Sequence, residues 1–439
     1  MISGVWSIVI ARLTDISMSS RECFICSAPG QFSCPDCQLA FCCSDHGDLH
    51  RGDSCYPFTV LQAQGVGRYV VAARDIRQGE VVFEETEPLV VGPNQECQPV
   101  CLSCLTPLVE DEEDGGGGGG QIDCGGCGYQ VCGADCEKRH RESRECQILG
   151  SAKPPVPAER YHHILPLRLL LLEAEDPGKA RLAEMFMDHR EEREGTEYWS
   201  YGRDHIVPFI RDQCGQTQWS EQQVMRATGI LEVNCYEVKN FVTFGLRGFF
   251  PLASLLSHSC IANVKTVWEP GPPWGHRTVA VRDIKAGEEI LTSYLRPSMC
   301  ALLRRKAIKT GWYFDCSCPR CVDPRELGAN TNTLLCPACS RGHLLPSSPL
   351  EYQSDWVCDQ CSHIAPSDLV QGVVELYKQQ IQTTYETDRQ ASYSDNISSS
   401  YPTQHFQQNP IKRHKISQDF PKNPYFPLII QKRNLILAE

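Results

Sequence analysis

Cysteines dominate the chemistry that this chain of 439 residues could perform, since it contains 26 of them. Most form C-x-x-C pairs close to further cysteines or histidines, and a two-residue gap lets both sulfurs reach one tetrahedral ion. Two runs, "CPDCQLAFCCSDHGDLH" from Cys34 and "CGGCGYQVCGADCEKRH" from Cys124, share the ligand intervals 2, 4, 3 and 3. The pattern predicts one small zinc-held unit that is used twice.

Each of these two clusters offers eight potential ligands, enough for two four-coordinate zinc ions with no open position, which predicts structural zinc. The first cluster consists of Cys23, Cys26, Cys34, Cys37, Cys42, His46, His50 and Cys55. The second consists of Cys101, Cys104, Cys124, Cys127, Cys132, Cys136, His140 and Cys146. The shared interval of four favours Cys42 over Cys43. Units this small bury little apolar surface, so the metal supplies their folding free energy.

Two further cysteine sets follow in the C-terminal half. Cys316, Cys318 and Cys321 in "FDCSCPRC" lack a fourth ligand, and Cys260 in "SHSC" is the candidate. The self-contained spacing of a zinc ribbon is formed by Cys336, Cys339, Cys358 and Cys361. Together the clusters predict about six zinc ions. The remaining thiols are expected to be free or in the core: Cys43, Cys97, Cys214, Cys235 and Cys300.

Composition narrows the compartment and the partners. The net charge of −12 argues against broad binding to nucleic acid and is compatible with basic peptide partners such as histone tails. Neither "VWSIVIARL" nor "LPLRLLLLEA" has the length of a membrane span, and no stretch is typical of a secretory signal. We therefore expect a reducing compartment, with no membrane partner and no direct nucleic-acid partner.

Hydrophobic patterning divides the rest of the chain. Residues 1–20 read as a leader, residues 57–92 as β-hairpins, 155–245 as mainly helical and 246–296 as strands again. The acidic and glycine-rich "VEDEEDGGGGGGQ" predicts a mobile loop, and residues 385–439 predict disorder. The segments "AARDIRQGEVVF" and "AVRDIKAGEEIL" share R-D-I-x-x-G-E, which indicates two strand–turn–strand units with glycine at the turn.

Four segments in order carry a family resemblance: "GVGRYVVAARDIRQGEVVFEE", "LLSHSCIANV", "AGEEILTSY" and "WYFDCSCPRC". They resemble the parts of a SET domain, and the cysteine clusters resemble MYND zinc fingers. The layout is similar to the SET-and-MYND (SMYD) family, in particular its arthropod-type branch. The resemblance implies an α+β fold with a β-rich SET domain over 57–296. Its inserts are a MYND finger at 101–146 and a helical insert at 155–245. A MYND-like finger at 21–56 precedes it, and a post-SET zinc motif at 312–322 and a zinc ribbon at 334–365 follow it.

The resemblance also implies how the finger ligands divide between ions, because MYND fingers interleave two sites. Ligands one, two, five and six of a cluster hold one ion, and the other four hold the second. The four implied sites are Cys23, Cys26, Cys42 and His46; Cys34, Cys37, His50 and Cys55; Cys101, Cys104, Cys132 and Cys136; and Cys124, Cys127, His140 and Cys146.

Family members are protein-lysine methyltransferases that use S-adenosylmethionine, and the resemblance assigns site residues accordingly. Tyr294 would be the catalytic tyrosine, with Trp312 lining the lysine channel. The implied cofactor-binding residues are Gly65, Gly67, Arg68, Asn234, Ser257, His258 and Phe314. Judged on residue type alone, the glycines also suit a hairpin turn, Asn234 a helix-end cap, and Tyr294 and His258 structural roles.

Departures from the family pattern keep two functions open. Ser257 stands where the family has asparagine, Ala262 where it has proline, and Trp312 where it usually has tyrosine. A serine hydroxyl supports fewer hydrogen bonds than an amide. The first hypothesis is a lysine methyltransferase acting on histones or other proteins. The alternative is a zinc-stabilised adaptor that recruits proline-rich partners, for example in transcriptional regulation. Either function suits the nucleus and the cytoplasm.

Overall fold

The computed structural model describes residues 23, 28–34, 40–41, 47, 55–63, 67–95, 99–108, 121–152, 155–238, 245–269 and 271–380. The predicted leader, the glycine-rich loop, the predicted tail, Gly65 and most of the first cysteine cluster lie outside these residues. The chain divides into two compact units. The first unit comprises 1–109, 118–258 and 262–292, and the second comprises 110–117, 259–261 and 293–439. Within the described residues, no helix combines the length and apolarity needed to cross a bilayer.

The strands are short, and most lie in the first unit. In chain order they are β1 (Phe32–Ser33), β2 (Ala40–Phe41), β3 (Phe58–Ala63), β4 (Gly67–Ala72), β5 (Val81–Glu85), β6 (Val90–Pro93), β7 (Ile122–Asp123), β8 (Gln130–Val131), β9 (Cys235–Val238), β10 (Leu246–Phe249), β11 (Ser257–His258), β12 (Val264–Trp268), β13 (His276–Ala280), β14 (Leu291–Thr292), β15 (Leu334–Leu335), β16 (His343–Pro346), β17 (Trp356–Cys358) and β18 (Ile364–Ala365).

Small sheets build the first unit. Antiparallel sheets run in the orders β6-β10-β9 and β12-β13-β5, and β3 pairs with β4 as the predicted hairpin. β11 and β14 pair in parallel, with Ser257 opposite Leu291 and His258 opposite Thr292. Segments far apart in the sequence therefore meet, and the parallel pair places the "SHSC" segment beside the end of the "AGEEIL" segment.

Helices fill the predicted helical insert and flank the cysteine clusters. They are α1 (Ala134–Glu142), α2 (Arg144–Leu149), α3 (Ile164–Glu175), α4 (Pro177–Glu184), α5 (Arg190–Arg193), α6 (Glu197–Tyr201), α7 (Glu221–Asn234), α8 (Ala301–Trp312), α9 (Pro319–Val322) and α10 (367–380). Short 3-10 turns cover Ala158–His163, Ala253–Leu255 and Glu326–Gly328, and π-helical turns cover Gly202–Ile206 and Phe209–Gln213.

Local sequence explains where the principal helices begin. The predicted capping box of α7 is confirmed, because Ser220 Oγ accepts from the Gln223 amide and Gln223 Oε1 accepts from the Ser220 amide. Asp176 caps α4 by accepting from the Lys179 amide. α3 is leucine-rich on nearly all sides and packs against α4, α7 and β6, which makes it the central helix of the first unit.

The second unit contains the segments predicted as a zinc ribbon and a post-SET zinc motif. The ribbon is a four-stranded antiparallel sheet in the order β15-β16-β17-β18, closed by a small core that includes Leu344, Trp356 and Val370. α8 and α9 form a separate cluster in which Ile308 packs with Cys260, Cys316 and Cys321. Each cluster has few apolar side chains, so the cysteines form much of its interior.

The two R-D-I-x-x-G-E segments pair with each other as near copies. Asp75 Oδ1 accepts from the Ala286 amide at 3.0 Å, and its counterpart Asp283 Oδ1 accepts from the Gln78 amide at 2.9 Å. Ile76 and Ile284 exchange two backbone hydrogen bonds of 2.8 and 2.9 Å, and both side chains are buried. The expected turn glycines, Gly79 and Gly287, have φ angles of 84° and 81°. The two copies of the repeat therefore pair with approximate two-fold symmetry, in the turns that follow β4 and precede β14.

This pairing predicts matched losses of stability. Ile76→Ala and Ile284→Ala should each lower the free energy of unfolding by about 2–5 kcal/mol, because each removes a buried side chain from a packed core. Because the two residues are neighbours, the double variant should lose less than the sum of the single losses. Urea unfolding measures all three variants, with Val81→Ala on the exposed side of β5 as control. Additive losses would contradict a shared packing site.

A histidine and tyrosine cluster lies inside the helical insert. Tyr201 Oη is 2.9 Å from His163 Nε2 and 3.0 Å from His162 Nε2. His163 is buried, and this burial, with the nearby cationic groups of His162, Arg160 and His205, lowers its pKa to about 3. The folded chain therefore holds His163 neutral where an exposed histidine would be protonated.

The depressed pKa makes His163 a source of acid sensitivity. Since unfolding restores a pKa of about 6.5, the unfolded chain binds the extra proton, and stability falls as the pH drops below about 6.5. From pH 8 to pH 5 this group should remove about 2 kcal/mol. In His163→Gln that part of the pH dependence should vanish, while His205→Gln should keep most of it, because the exposed His205 makes the smallest of the named contributions to the lowered pKa. Chemical denaturation at each pH measures the slope. An unchanged slope in His163→Gln would assign the acid sensitivity to another group.

Candidate active site and metal centres

Four groups of cysteine and histidine side chains have the geometry of metal sites among the described residues. Within each group the candidate ligand atoms all lie within 4.8 Å of one another. The groups are Cys101, Cys104, Cys132 and Cys136; Cys124, Cys127, His140 and Cys146; Cys260, Cys316, Cys318 and Cys321; and Cys336, Cys339, Cys358 and Cys361. A tetrahedral zinc with sulfur ligands separates them by about 3.8 Å. The residues therefore fit the ion.

Both sites of the second finger contain the ligands that the family resemblance assigns. Cys104 and Cys132 have their Sγ atoms 3.6 Å apart, and so do Cys124 and Cys146. Cys101 and Cys104 precede β7, Cys124 and Cys132 directly follow β7 and β8, and α1 and α2 carry the later ligands Cys136, His140 and Cys146. Gly126 is needed at its position, because a Cβ there would lie 2.8 Å from Cys146 Sγ. The interleaved order brings together ligands that are separated in the sequence.

Hydrogen bonds prepare some of these sulfurs as thiolates, the form that binds zinc. Burial opposes ionisation of Cys104, but its hydrogen bonds with Thr106 prevail and lower its pKa to about 7. In the ribbon, the Gly342 amide donates to Cys339 Sγ at 3.3 Å and lowers the pKa of Cys339 to about 6. A Cβ at Gly342 would lie 2.5 Å from Cys358 Sγ, so the turn requires glycine.

The incomplete trio of cysteines meets its predicted fourth partner. Cys260 Sγ lies 3.5 Å from Cys321 Sγ and 4.0 Å from Cys316 Sγ. Arg304 on α8 donates from Nε to Cys260 Sγ at 3.3 Å and pairs with the buried Glu326 at 2.6 Å. A cation beside the sulfur offsets part of the negative charge of a four-thiolate site.

Only part of the first cluster is described. Cys34 and Cys55 have Sγ atoms 3.7 Å apart, the spacing expected of two ligands of one ion. Cys23 is buried. The other predicted ligands of this cluster, Cys26, Cys37, Cys42, His46 and His50, lie outside the described residues.

Two predicted cofactor residues of the first unit converge on one backbone segment. Arg68 on β4 donates to the Met185 carbonyl at 2.9 Å and lies 4.7 Å from the centre of the Phe186 ring. Asn234 ends α7 and donates from Nδ2 to the Met187 carbonyl at 3.0 Å and to Ile230 at 2.8 Å. The Ile230 bond is the helix-end role that Asn234 also suited.

Gly67 shows why glycine is used at the start of β4. Its φ is 82°, and none of the described atoms would lie within 4 Å of a Cβ added there. Left-handed backbone geometry, rather than a close protein contact, therefore requires glycine at this position.

Buried polar groups hold the segment that carries Ser257 and His258. Glu85 on β5 accepts from the amides of Leu252 and Ala253 at 2.9 and 3.0 Å, and its other neighbour is His276 Nε2 at 3.2 Å. The carboxylate thereby caps the 3-10 turn before β11. Asn263 is fully buried, donates to the Glu289 carbonyl and accepts from the Leu291 amide at 2.7 Å. These contacts fix both members of the parallel β11–β14 pair.

The predicted catalytic and channel residues belong to the second unit. The rings of Tyr294 and Trp312 lie 5.1 Å apart and are tilted by 39°. Trp312 ends α8, and Tyr313 follows with a φ of 62°, which turns the chain toward Phe314, 37% exposed. The structure thus places the tyrosine assigned to catalysis against the tryptophan assigned to the channel.

Several buried charged residues that shape these sites were not predicted as site residues, namely Glu85, Glu145, Arg168, Arg304 and Glu326. Arg168 in "LPLRLLLLEA" is a single charge in apolar surroundings, whereas Arg304 in "ALLRRKAI" is followed by two further cations. A buried charge needs a partner, so this pattern could have indicated buried ion pairs. Nothing in the sequence indicated which partners they have.

Comparison with known proteins agrees with the resemblance. A family model described as "SET domain" matches residues 67–295, more than half of the chain. SET domain-containing protein SmydA-8 of Drosophila melanogaster is 28% identical over 73% of this chain and 68% of its own length. Histone-lysine N-methyltransferase SMYD3 of Mus musculus is 28% identical over 58% of this chain, which spans 59% of that relative. The solved SET domain of LSMT bound to lysine and AdoHcy is 11% identical, covers 62% of this chain and 56% of its own, and has a TM-score of 0.36.

These relatives include SmydA-8 of an arthropod and SMYD3 of a vertebrate, and the order of motifs had predicted the SMYD family and its arthropod-type branch. The matched region begins at Gly67 and ends just after Tyr294, so it contains most of the residues assigned to the cofactor and to catalysis. The resemblance is confirmed: this chain belongs to the SET domain family.

Proposed function

We propose that this chain is a protein-lysine N-methyltransferase that uses S-adenosylmethionine. The observation that carries the proposal is the family match over 67–295, which includes Tyr294, and the ring of Tyr294 lies against that of Trp312. The curated relatives include histone-lysine methyltransferases of mouse and yeast, which supports a protein substrate. Histones or other proteins with accessible lysines are the substrate class, and the nucleus and cytoplasm are the compartments.

The chain's own residues have simple tasks in such a reaction. When bound, S-adenosylmethionine supplies an electrophilic methyl group on a sulfonium. The lysine amine would need to be neutral, with its proton released to solvent, to accept that methyl group, and S-adenosylhomocysteine would leave. Tyr294 orients the reacting groups through its hydroxyl, and the Trp312 ring excludes water from the amine's path. The proposed cofactor-binding residues are Gly65, Gly67, Arg68, Asn234, Ser257, His258 and Phe314.

Acidity of the chain supports a basic substrate. The net charge of −12 favours encounter with lysine-rich segments such as histone tails, through long-range attraction that salt weakens. Substrate choice itself needs contacts beyond this charge, since a net field steers association without selecting one lysine.

We also propose that the cysteine clusters hold about six structural zinc ions, four of them at the groups described above. Each such group has four candidate protein ligands, so no coordination position remains for a substrate. Zinc here stabilises the fingers, the post-SET region and the ribbon, and it takes no part in methyl transfer.

One observation favours the second candidate, an adaptor with a weak active site. Ser257 replaces the family's asparagine, and its hydroxyl partly offsets the burial that raises the pKa of Glu289. A hydroxyl engaged in this way is a poorer cofactor partner than a free amide. In this candidate the MYND-type fingers recruit proline-rich protein partners, and the SET domain serves as a scaffold.

Cofactor binding and transfer can be tested together. Methyl transfer to core histones from labelled S-adenosylmethionine should occur in the wild type, and Tyr294→Phe should lower the rate at least tenfold, equivalent to about 1.4 kcal/mol of barrier. The cofactor should still raise the melting temperature of Tyr294→Phe, since binding to the native state stabilises it. In Asn234→Ala that thermal shift should shrink.

Tyr198→Phe is the matched control, because Tyr198 is exposed on α6. It should leave both rate and shift unchanged. Absence of any thermal shift at millimolar S-adenosylmethionine in the wild type would favour the adaptor. A normal rate in Tyr294→Phe would remove Tyr294 from its proposed role.

Metal content tests the zinc sites separately. Elemental analysis of the reduced chain should find about six zinc ions, and Cys316→Ser should lose about one of them. Cys214→Ala should lose none, because Cys214 is a buried thiol outside the four groups. Chelation should also lower the melting temperature, because zinc supplies folding free energy. A chain that folds normally with almost no zinc would overturn this assignment.

A further inference from the structure

Arg168 is the charged residue at the centre of the leucine-rich helix α3, and its whole guanidinium is bound. Nε and Nη2 donate to the two carboxylate oxygens of Glu145 at 2.6 and 2.8 Å. Nη1 donates to the Val91 carbonyl at 2.7 Å, and Nη2 also donates to the Leu102 carbonyl at 2.9 Å. One side chain thus joins strand β6, the loop of Cys101 and Cys104, and helix α2.

Glu145 connects this arginine to a candidate zinc ligand. It is the residue before Cys146, and it is buried in the finger. Its Oε1 lies 4.0 Å from Nδ1 of His140, while Nε2 of the same ring lies 3.3 Å from Cys127 Sγ. The histidine therefore directs Nε2 to the metal group and Nδ1 toward a carboxylate that Arg168 holds in place.

This arrangement has a known chemical consequence. A histidine that ligates zinc through Nε2 must carry its proton on Nδ1, and a carboxylate facing Nδ1 favours that tautomer and fixes the ring. Zinc draws electron density from the ring and makes Nδ1–H more positive, so attraction to Glu145 grows when the ion binds. The bidentate fork of Arg168 fixes the orientation of the buried Glu145 carboxylate through two hydrogen bonds.

We propose that Arg168 and Glu145 are positioning residues that couple zinc at Cys124, Cys127, His140 and Cys146 to docking of the second finger on strand β6. This pair is called the Arg168 clamp below. The clamp rests on the zinc occupancy proposed above. It makes retention of that ion depend on a residue of the helical insert, and it makes the backbone around Val91 sensitive to whether the finger holds its metal.

The geometry distinguishes the clamp from an ordinary surface ion pair. Arg168 and Glu145 side chains are 16% and 10% exposed, so solvent and salt screen them little. By contrast, Arg141 and Glu137 on helix α1 of the same finger form a pair at 3.8 Å with Arg141 59% exposed. Arg141→Gln therefore removes one positive charge from the finger without touching the clamp, and it is the matched control.

The test measures zinc release from the full chain to a chromogenic chelator. Glu145→Gln keeps the shape of the side chain and removes its charge, and Arg168→Lys keeps the charge and removes the fork. Each should release one zinc ion about 10–100-fold faster than the wild type, the usual effect of losing an outer partner of a histidine ligand. The other ions should leave at wild-type rates, as should all ions in Arg141→Gln.

A second readout follows the coupling to strand β6. Amide hydrogen exchange around Val91 and Leu102 should speed up in Arg168→Lys, and chelation of wild-type zinc should produce the same local increase. Exchange in the ribbon strands β15–β18 should not change in Arg168→Lys, which also shows that the variant is folded. Should Arg168→Lys lose this ribbon protection, Glu145→Gln alone decides the outcome.

Wild-type zinc release in Glu145→Gln would overturn the clamp, as would unchanged exchange at Val91 after chelation. A wild-type chain without zinc in the second finger would also overturn it, but elemental analysis would then locate the failure in the proposed metal occupancy. If both variants kept their zinc normally but lost methyl transfer, the clamp would be contradicted. The proposed methyltransferase function of the wild type would still stand.

Discussion

Mutual repulsion among thiolates is the constraint on which the rest of this structure depends. The four described groups pack their ligand atoms within 4.8 Å of one another, and several of the sulfurs have environments that favour ionisation. Such an arrangement is unstable without a cation at its centre, because like charges at this distance repel strongly in a partly buried site. The Cys101 group of the second finger, the predicted post-SET region and the ribbon have small apolar cores of their own. We therefore expect metal binding to decide whether these segments fold.

Arginine has a recurring place next to the sulfur clusters. Arg139 donates to Cys136 Sγ at 3.1 Å, Arg304 donates to Cys260 Sγ at 3.3 Å, and Arg168 acts on His140 through Glu145. A zinc ion with four thiolates keeps a net negative charge, so a fixed cation lowers the energy of the site. Arg168 and Arg304 also pair with buried glutamates and bond to backbone carbonyls elsewhere. They therefore join each metal group to the protein around it.

Spacing along the chain predicted the parts of the structure that depend on local rules. C-x-x-C pairs, the repeated intervals, the Ser220 capping box and the turn glycines of the R-D-I-x-x-G-E segments are set by residues a few positions apart. The fourth partner of the Cys316 trio was predicted because its absence left a ligand count unfilled. Buried polar residues such as Glu85 and Asn263 were missed as organising groups. Their partners lie 167 and 26 residues away, and only the folded chain brings them together.

For the repeated segments, the sequence predicted the two turns but not that the turns pair with each other. Glycine at a positive φ accounts for two similar turns, but it gives no reason for the two turns to meet. In the structure Asp75 caps the backbone of the second turn and Asp283 caps that of the first, so each aspartate is useful only because the other segment is present. The pairing joins the turn that follows β4 to the turn that precedes β14 within the first unit. The fold therefore requires an aspartate in each segment, and this requirement is separate from the chemistry of the site.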